Sequence, residues 1–315
     1  MARTIGRREF FKDSAKLGVT LVIGGSLGSS ARADSGFASD DPRPDVAVVT
    51  GGDYRKNTIK AIEMLGGMEK FVPKNSRVAL LPNVQSRHPG AFTKPEIVRS
   101  VIRMCKRAGA KEVNLLSWQP LKQWEDTGLG QVAKEEGANL KLFEKDESLF
   151  QVVPISNGEA LKEARILKEL FNNDLLIDMP ITKDHAGNKF TGTMKNLMAL
   201  NSPGCNRTFH KEHWDTDPND IAHLDQSIAD LNKAVKPALC IVDATEIINT
   251  NGPFGPGEIL KPQKVVAGID RVAVDAYCAS LRGLKPEEIV HIKRGAEQGL
   301  GIIDLNKLKI KEIKL

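Results

Sequence analysis

From residue 46 to about residue 281, short and mostly apolar runs alternate with longer stretches whose apolar residues recur every three or four positions. The runs at 46–50, 78–81, 113–116, 140–143, 175–179, 238–242 and 265–268 read as strands, and Pro82 stops the second of them. Residues 57–65, 96–107, 221–235 and 272–281 carry the helical period. The signal is strongest over 96–107, where Ile97, Val98, Val101, Ile102 and Met104 share a face, Thr93 and Pro95 precede it, and Gly109 ends it. Strands apolar on both sides and separated by single helices predict an α/β fold, a mainly parallel sheet flanked by helices on both faces. Right-handed crossovers then put ligand groups just beyond the carboxyl ends of the strands.

The first 44 residues break the pattern. Arg3, Arg7, Arg8 and Lys12 precede a weakly apolar run at 17–27, interrupted by Gly18, Gly24 and Gly25, and Ala31-Arg32-Ala33 offers a small-x-small cleavage site. This is the order of a signal peptide. The run is too short and too rich in Gly and Ser to span a bilayer, which takes ~20 apolar residues. Arg7-Arg8-Glu9-Phe10-Phe11-Lys12 resembles the twin-arginine consensus. The expectation is a twin-arginine signal at 1–33, a disordered polar leader at 34–44 and a single α/β domain at 45–315, in the periplasm or otherwise exported. Its first partner is then the twin-arginine translocase. That route carries proteins already folded, often with a cofactor inserted beforehand.

Charge sharpens this division. The chain carries +5, and six basic and two acidic residues lie before position 34, so about +1 remains on the rest. That remainder leaves no electrostatic footprint for nucleic acid, and no later segment reads as transmembrane. The four cysteines, Cys105, Cys205, Cys240 and Cys278, form no C-x-x-C pair. No iron–sulfur motif is therefore present, the cofactor is left unidentified, and free buried thiols are expected.

Reactive groups concentrate after the strand at 175–179. Lys183, His185, Lys189, Lys195, Asn196, Arg207, His210, Lys211 and His213 follow within 34 positions of Met179. Cations packed together imply an anionic partner, either a small ligand or a cofactor. A Lys among other cations has a lowered pKa and suits a base or nucleophile. A solvated loop of ordinary surface charge is the plainer alternative. His210 and His213 stand at i, i+3 and would share a helix face as metal ligands, or serve as simple hydrogen-bonding residues. Asp243 follows the strand at 238–242, and the loop 251–257 carries Gly255, whose lack of a side chain lets backbone approach a ligand or simply makes a turn. Asp270 follows the next strand as an N-cap or a ligand-binding group. Asp275 lies among Val272, Ala273, Val274 and Ala276, where a carboxylate should be paired or functional, with Lys183 or Lys195 as a sensible partner. Asn83, after the second strand, reaches the same edge. The expected set is thus Lys183, His185, Lys195 and Asp275 for chemistry, Asn83, Asn196, Asp243, Gly255 and Asp270 for cofactor binding, and His210 with His213 for a metal.

Taken in order, Leu81-Pro82-Asn83, Thr93-Lys94-Pro95-Glu96, Pro180 through Lys183 with His185, Thr191-Gly192 with Lys195-Asn196, Ile241-Val242-Asp243 and Gly268-Ile269-Asp270 through Asp275 resemble the domain-of-unknown-function 362 family. The resemblance covers roughly 45–304 and implies no agreed activity. Many members add a ferredoxin-like iron–sulfur module, which has no counterpart here, and the family's usual Lys before Pro-Asn is Leu81. The segment with Thr93 and Pro95 is also similar to the lactate racemase apoprotein family, which holds an anionic nickel cofactor with Lys and His. Three functions compete on this sequence. One is an exported enzyme with an anion- or cofactor-binding site at the carboxyl edge of the sheet. The second is a non-catalytic periplasmic carrier or maturation protein, and the third a protein–protein module.

Overall fold

The computed structural model describes residues 43–143 and 146–315; the expected signal, its cleavage site and residues 34–42 of the expected leader lie outside the described residues. In chain order the strands are β1 (Val46–Thr50), β2 (Arg77–Pro82), β3 (Glu112–Ser117), β4 (Asn139–Leu142), β5 (Phe150–Pro154), β6 (Glu163–Leu167), β7 (Leu175–Met179), β8 (Leu239–Ala244), β9 (Ile247–Ile248), β10 (Ile259–Leu260), β11 (Lys264–Gly268) and β12 (Ile310–Lys314). The helices are α1 (Tyr54–Met64), α2 (Pro95–Arg107), α3 (Leu121–Asp126), α4 (Leu129–Glu135), α5 (Thr193–Asn196), α6 (Pro203–His210), α7 (Pro218–Ala234), α8 (Arg271–Ser280) and α9 (Val290–Glu297).

Eight strands form one sheet in the order β12-β1-β11-β8-β7-β2-β3-β4. All are parallel except β11, which runs antiparallel between β1 and β8. The pleat sends alternate residues to opposite layers. Ala79 and Leu81 join one core with Leu224, Ile228, Val272, Ala276 and Ile292 from α7, α8 and α9. Val78 and Leu80 join the other with Ile62, Ile97, Val101 and Trp124 from α1, α2 and α3. Helices therefore cover both faces, as the two-sided apolar runs require. Fully burying each Leu, Ile or Val contributes about 1.5–3 kcal/mol.

Capping residues fix where helices begin. Asp53 accepts from Arg55 N at 3.2 Å and Lys56 N at 3.1 Å, so α1 starts three residues before the expected 57. Asp217 caps α7 ahead of Pro218, again three residues before the periodic segment. Three strand features are absent from the pattern of apolar runs: the β5–β6 and β9–β10 hairpins and the edge strand β12, the first and last of them half-exposed with polar residues interspersed.

The reversed strand has a consequence for placement. The end of β11, Gly268, lies beside Val46 and Cys240, the amino ends of β1 and β8. α8 then climbs from that amino edge to the carboxyl edge, where Arg282 meets Asp184 at 2.9 Å. The ends of β2, β7 and β8 converge on the same carboxyl edge.

Candidate functional site

Beyond Met179 the chain stays beside β8: Asp243 N donates to Pro180 O at 2.9 Å and Thr182 N to Asp243 O at 3.0 Å. It then turns back, with Lys183 and Thr191 bridged through both backbone N–H groups. This return seals Lys183 from solvent at 0% exposure. Its Nζ donates to Ala91 O at 2.8 Å, and to Asn83 Oδ1 and Gln85 Oε1 at 3.2 Å each. Three neutral oxygens thus take all three N–H bonds of the ammonium. Asn83 is itself held, donating Nδ2 to Asn196 Oδ1 at 3.0 Å, and Asn196 donates Nδ2 to Asp178 Oδ1 at 2.7 Å and to Leu81 O at 3.0 Å. The result is a chain of amides running from Lys183 to a carboxyl under the sheet edge. Burial raises Asp178 well above the usual carboxylate range, against the bond from Asn196.

Lys195, on α5, is 7% exposed, and its Nζ meets Met198 Sδ at 3.7 Å. Neither lysine has a carboxylate within ion-pair distance among the described residues. Burial pushes both amines down to about 7. The charge of Lys195 adds to the depression at Lys183, while Asp225 partly opposes it at Lys195.

Two imidazoles and an indole complete the cluster. The His185 ring centroid lies 4.9 Å from that of Trp214 and 6.4 Å from that of His210, and His210 meets Trp214 edge-on at 5.5 Å. His210 Nδ1 lies 2.9 Å from Asn206 O. Burial, then the charge of Lys195, holds His185 well below the ordinary imidazole range and His210 at about 4, so both are neutral near pH 7. Several buried polar atoms here have no partner among the described residues: His185 Nδ1, both amide atoms of Asn188 and Thr191 Oγ1. An unsatisfied buried polar group costs about 1–3 kcal/mol. All of these atoms belong to 183–191, the return of chain that carries Lys183.

The other expected residues divide into three groups. Asn83, Asn196 and Asp243 lie on the same edge as the lysines. Asp243 is structural: it accepts from Lys94 N, Thr245 N and Thr245 Oγ1 at 2.7–2.9 Å and so pins the start of α2. Gly255 belongs to a turn, with φ of 75°, where a Cβ would run into Ile248 Cδ1, and Phe254 O beside it accepts from Ser86 Oγ.

Asp275 lies beneath the cluster and pairs with neither lysine. It accepts from Thr193 N at 2.6 Å and Met194 N at 2.9 Å, so it anchors the turn that carries Lys195. Burial raises it to about 6 despite those two bonds. The carboxylate among apolar residues found backbone N–H groups rather than an ammonium.

Asp270 and His213 stand apart. Asp270 caps α8 through Val272 N and Ala273 N and accepts from Ile302 N at 2.7 Å, on the amino edge of the sheet. It lines a cavity of about 250 Å³ there, together with Arg43, Lys236 and Arg271. That cavity is roomy but far from the lysines, and the unpartnered imidazole and amide atoms lie with the lysines. α6 ends at His210, and Lys211 departs with φ of 56°, so His210 and exposed His213 share no helix face. Among the described residues no group of three or more His, Cys, Asp or Glu converges as a metal ligand set. The four cysteines are free thiols, three of them buried.

Sequence reasoning missed Gln85, Asn188, Trp214 and Arg282. The first three carry no charge and match no motif. Arg282 lies 98 positions from its partner Asp184, and the turn after α8 gives it no periodic context.

The chain is 27% identical over 251 residues to the "Thylakoid-associated protein sll1697" of Synechocystis sp. (strain ATCC 27184 / PCC 6803 / Kazusa), a match covering 76% of this chain and 73% of that protein. Among solved structures, the lactate racemase apoprotein from Thermoanaerobacterium thermosaccharolyticum aligns with a TM-score of 0.45 and 16% identity. That alignment covers 83% of this chain and 58% of the racemase, so the chain spans less than two thirds of its length. No helix among the described residues is long and apolar enough to cross a membrane. The family model described as Domain of unknown function (DUF362) matches residues 78–280, well over half of the sequence, and the chain belongs to that family.

Proposed function

We propose that the Lys183–Lys195 cluster binds a small anionic ligand or an anionic cofactor, in a protein exported in its folded state by the twin-arginine route. One observation carries the reading: two buried amines, near enough for the charge of Lys195 to act on Lys183, have no carboxylate paired to either among the described residues. A buried charge without a counter-charge costs several kcal/mol, and an anion would remove that cost. The two lysines divide the work. Lys183 has its N–H groups committed to neutral oxygens and, when protonated, supplies positive charge without touching the ligand. Lys195 touches a thioether and is the direct donor. His185 Nδ1 and the Asn188 amide would complete the contacts. Amines near 7 beside neutral imidazoles also exchange protons readily at neutral pH, which fits an enzyme using the bound group.

A non-catalytic periplasmic carrier of the same ligand is favoured by one observation, the closure of the site. Lys183, His185 and Lys195 are 0%, 3% and 7% exposed. Such burial agrees with a ligand enclosed during folding, before export.

Purification after native export tests the reading. Native mass spectrometry, metal analysis and an absorption spectrum are expected to reveal a stoichiometric bound species. After its removal, titration calorimetry is expected to show saturable sulfate binding that Lys195→Met abolishes. A chain with neither bound species nor sulfate binding would remove the anion site. Replacing Arg7 and Arg8 together by Lys is expected to empty the exported fraction; an unchanged fraction would remove the export route.

A further inference from the structure

A third buried imidazole lies beside the cluster. His291, on α9, is 0% exposed, and its Nδ1 stands 2.8 Å from Asp225 Oδ1 on α7. Asp225 is 2% exposed. In the neutral imidazole a carboxylate at Nδ1 holds the proton on that nitrogen, and Nε2 then presents its lone pair. Nε2 is buried and has no partner among the described residues. The ring stacks on Phe190, with centroids 6.1 Å apart and planes inclined by 23°. Phe190 directly precedes Thr191, where the chain returns over Lys183. The dyad is also within electrostatic reach of the cluster: Asp225 bears on Lys195, and His291 on His185 and Asp275. An imidazole oriented by a carboxylate and left with an unpartnered nitrogen in a dry interior is a candidate acceptor for chemistry.

We infer that Asp225–His291 is the proton acceptor of the lysine site, with His291 Nε2 receiving a hydrogen bond or a proton from an acidic O–H on the bound anion. The inference rests on the anion-site reading and narrows its ligand to an anion that brings its own ionisable O–H. In a full transfer the ligand O–H bond breaks and an N–H bond forms at Nε2. The electron pair stays on the ligand oxygen, whose charge falls to the lysines, and Asp225 balances the imidazolium. Asp225 is a positioning residue, since it acts through the tautomer of His291.

Phosphate and sulfate separate this inference from the reading beneath it. Both are tetrahedral dianions near neutrality, and at about pH 7.5 phosphate still carries an O–H that sulfate lacks. In titration calorimetry the wild type is expected to bind phosphate ~10-fold tighter than sulfate, the worth of one buried hydrogen bond. His291→Phe is expected to erase that preference and keep sulfate affinity within ~2-fold, whereas Asp225→Asn, which also removes the charge that favours protonated Lys195, is expected to erase the preference while weakening both anions. Equal affinities in the wild type overturn the dyad and leave the anion site standing, whereas no saturable binding of either anion removes both. Nitrogen-15 spectra of the folded wild type need no variant. They are expected to show His291 protonated at Nδ1, with an Nε2 resonance that moves on adding phosphate and not on adding sulfate. A proton found on Nε2 overturns the inference outright.

Discussion

Two kinds of cation share the carboxyl edge of this sheet. Arg282 meets Asp184 at 2.9 Å, and Lys94 meets Glu246 at 2.7 Å, each with its counter-charge in place. Arg282 also donates to the carbonyls of Lys183, Lys189 and Asn249 and to Asn249 Oδ1. Lys183 and Lys195 are buried too, and among the described residues neither has a carboxylate within ion-pair distance. The difference teaches which charges build the edge and which the edge was built to hold. Arg282 ties the end of α8 to the loop over the lysines and closes its own electrostatic account there. The lysines leave theirs open.

Breaking the architectural pair should have the largest effect. Arg282→Ala leaves Asp184 and several carbonyls without a partner and is expected to cost about 3 kcal/mol, read as a lower urea midpoint at unchanged slope. Lys195→Met should act in the opposite direction, stabilising the ligand-free chain by about 1–2 kcal/mol. Its pH dependence carries the sign. A lysine held at about 7 when folded and near its ordinary value of 10.5 when unfolded penalises folding fully below pH 7 and not at all above the unfolded value. The advantage of the variant is therefore expected to be greatest at low pH and to fade as pH rises above 7. A constant advantage across pH would show that Lys195 is not the source.

Sulfate binding sharpens the same contrast. Above pH 7 each amine must regain a proton to meet the anion, so affinity is expected to fall up to ~10-fold per pH unit for each lysine that recharges, about 1.4 kcal/mol. Proton uptake on binding, measured in buffers of different ionisation enthalpy, counts those lysines. Lys94→Ala should do least. Its pair with Glu246 is partly solvated, so the loss is expected to stay below about 1 kcal/mol with sulfate affinity unchanged.

The parallel strands were legible because β2, β7 and β8 are buried on both faces and read as continuous apolar runs. The direction of β11 was not, since VVAG packs equally well either way and only the backbone register decides. β12 escaped notice because IKEIK puts only one Ile on each face among charged residues, which is neither an apolar run nor an alternation. In the site, Lys183, His185 and Lys195 were visible as a dense run of cations after one strand. Of their partners only Asn83 was expected at this edge; Gln85 and Ala91 come from about 100 positions earlier, and the Asp225–His291 contact spans 66. Asp275 drew attention for a sound reason, its apolar surroundings, but backbone N–H groups are invisible to any reading of side chains. Asp270 shows the complementary error. Its place after a strand pointed to the ligand edge, and the antiparallel course of that strand delivered it to the other one.

The antiparallel strand also makes α8 a strut. Ten residues span about 15 Å, fastened by Asp270 at the foot, by Asp275 to the Lys195 turn midway, and by Arg282 just past the head. Because backbone hydrogen bonds fix its rise, α8 sets the spacing between the amino edge, where Asp270 borders the 250 Å³ cavity, and the turn 193–196 that carries Lys195.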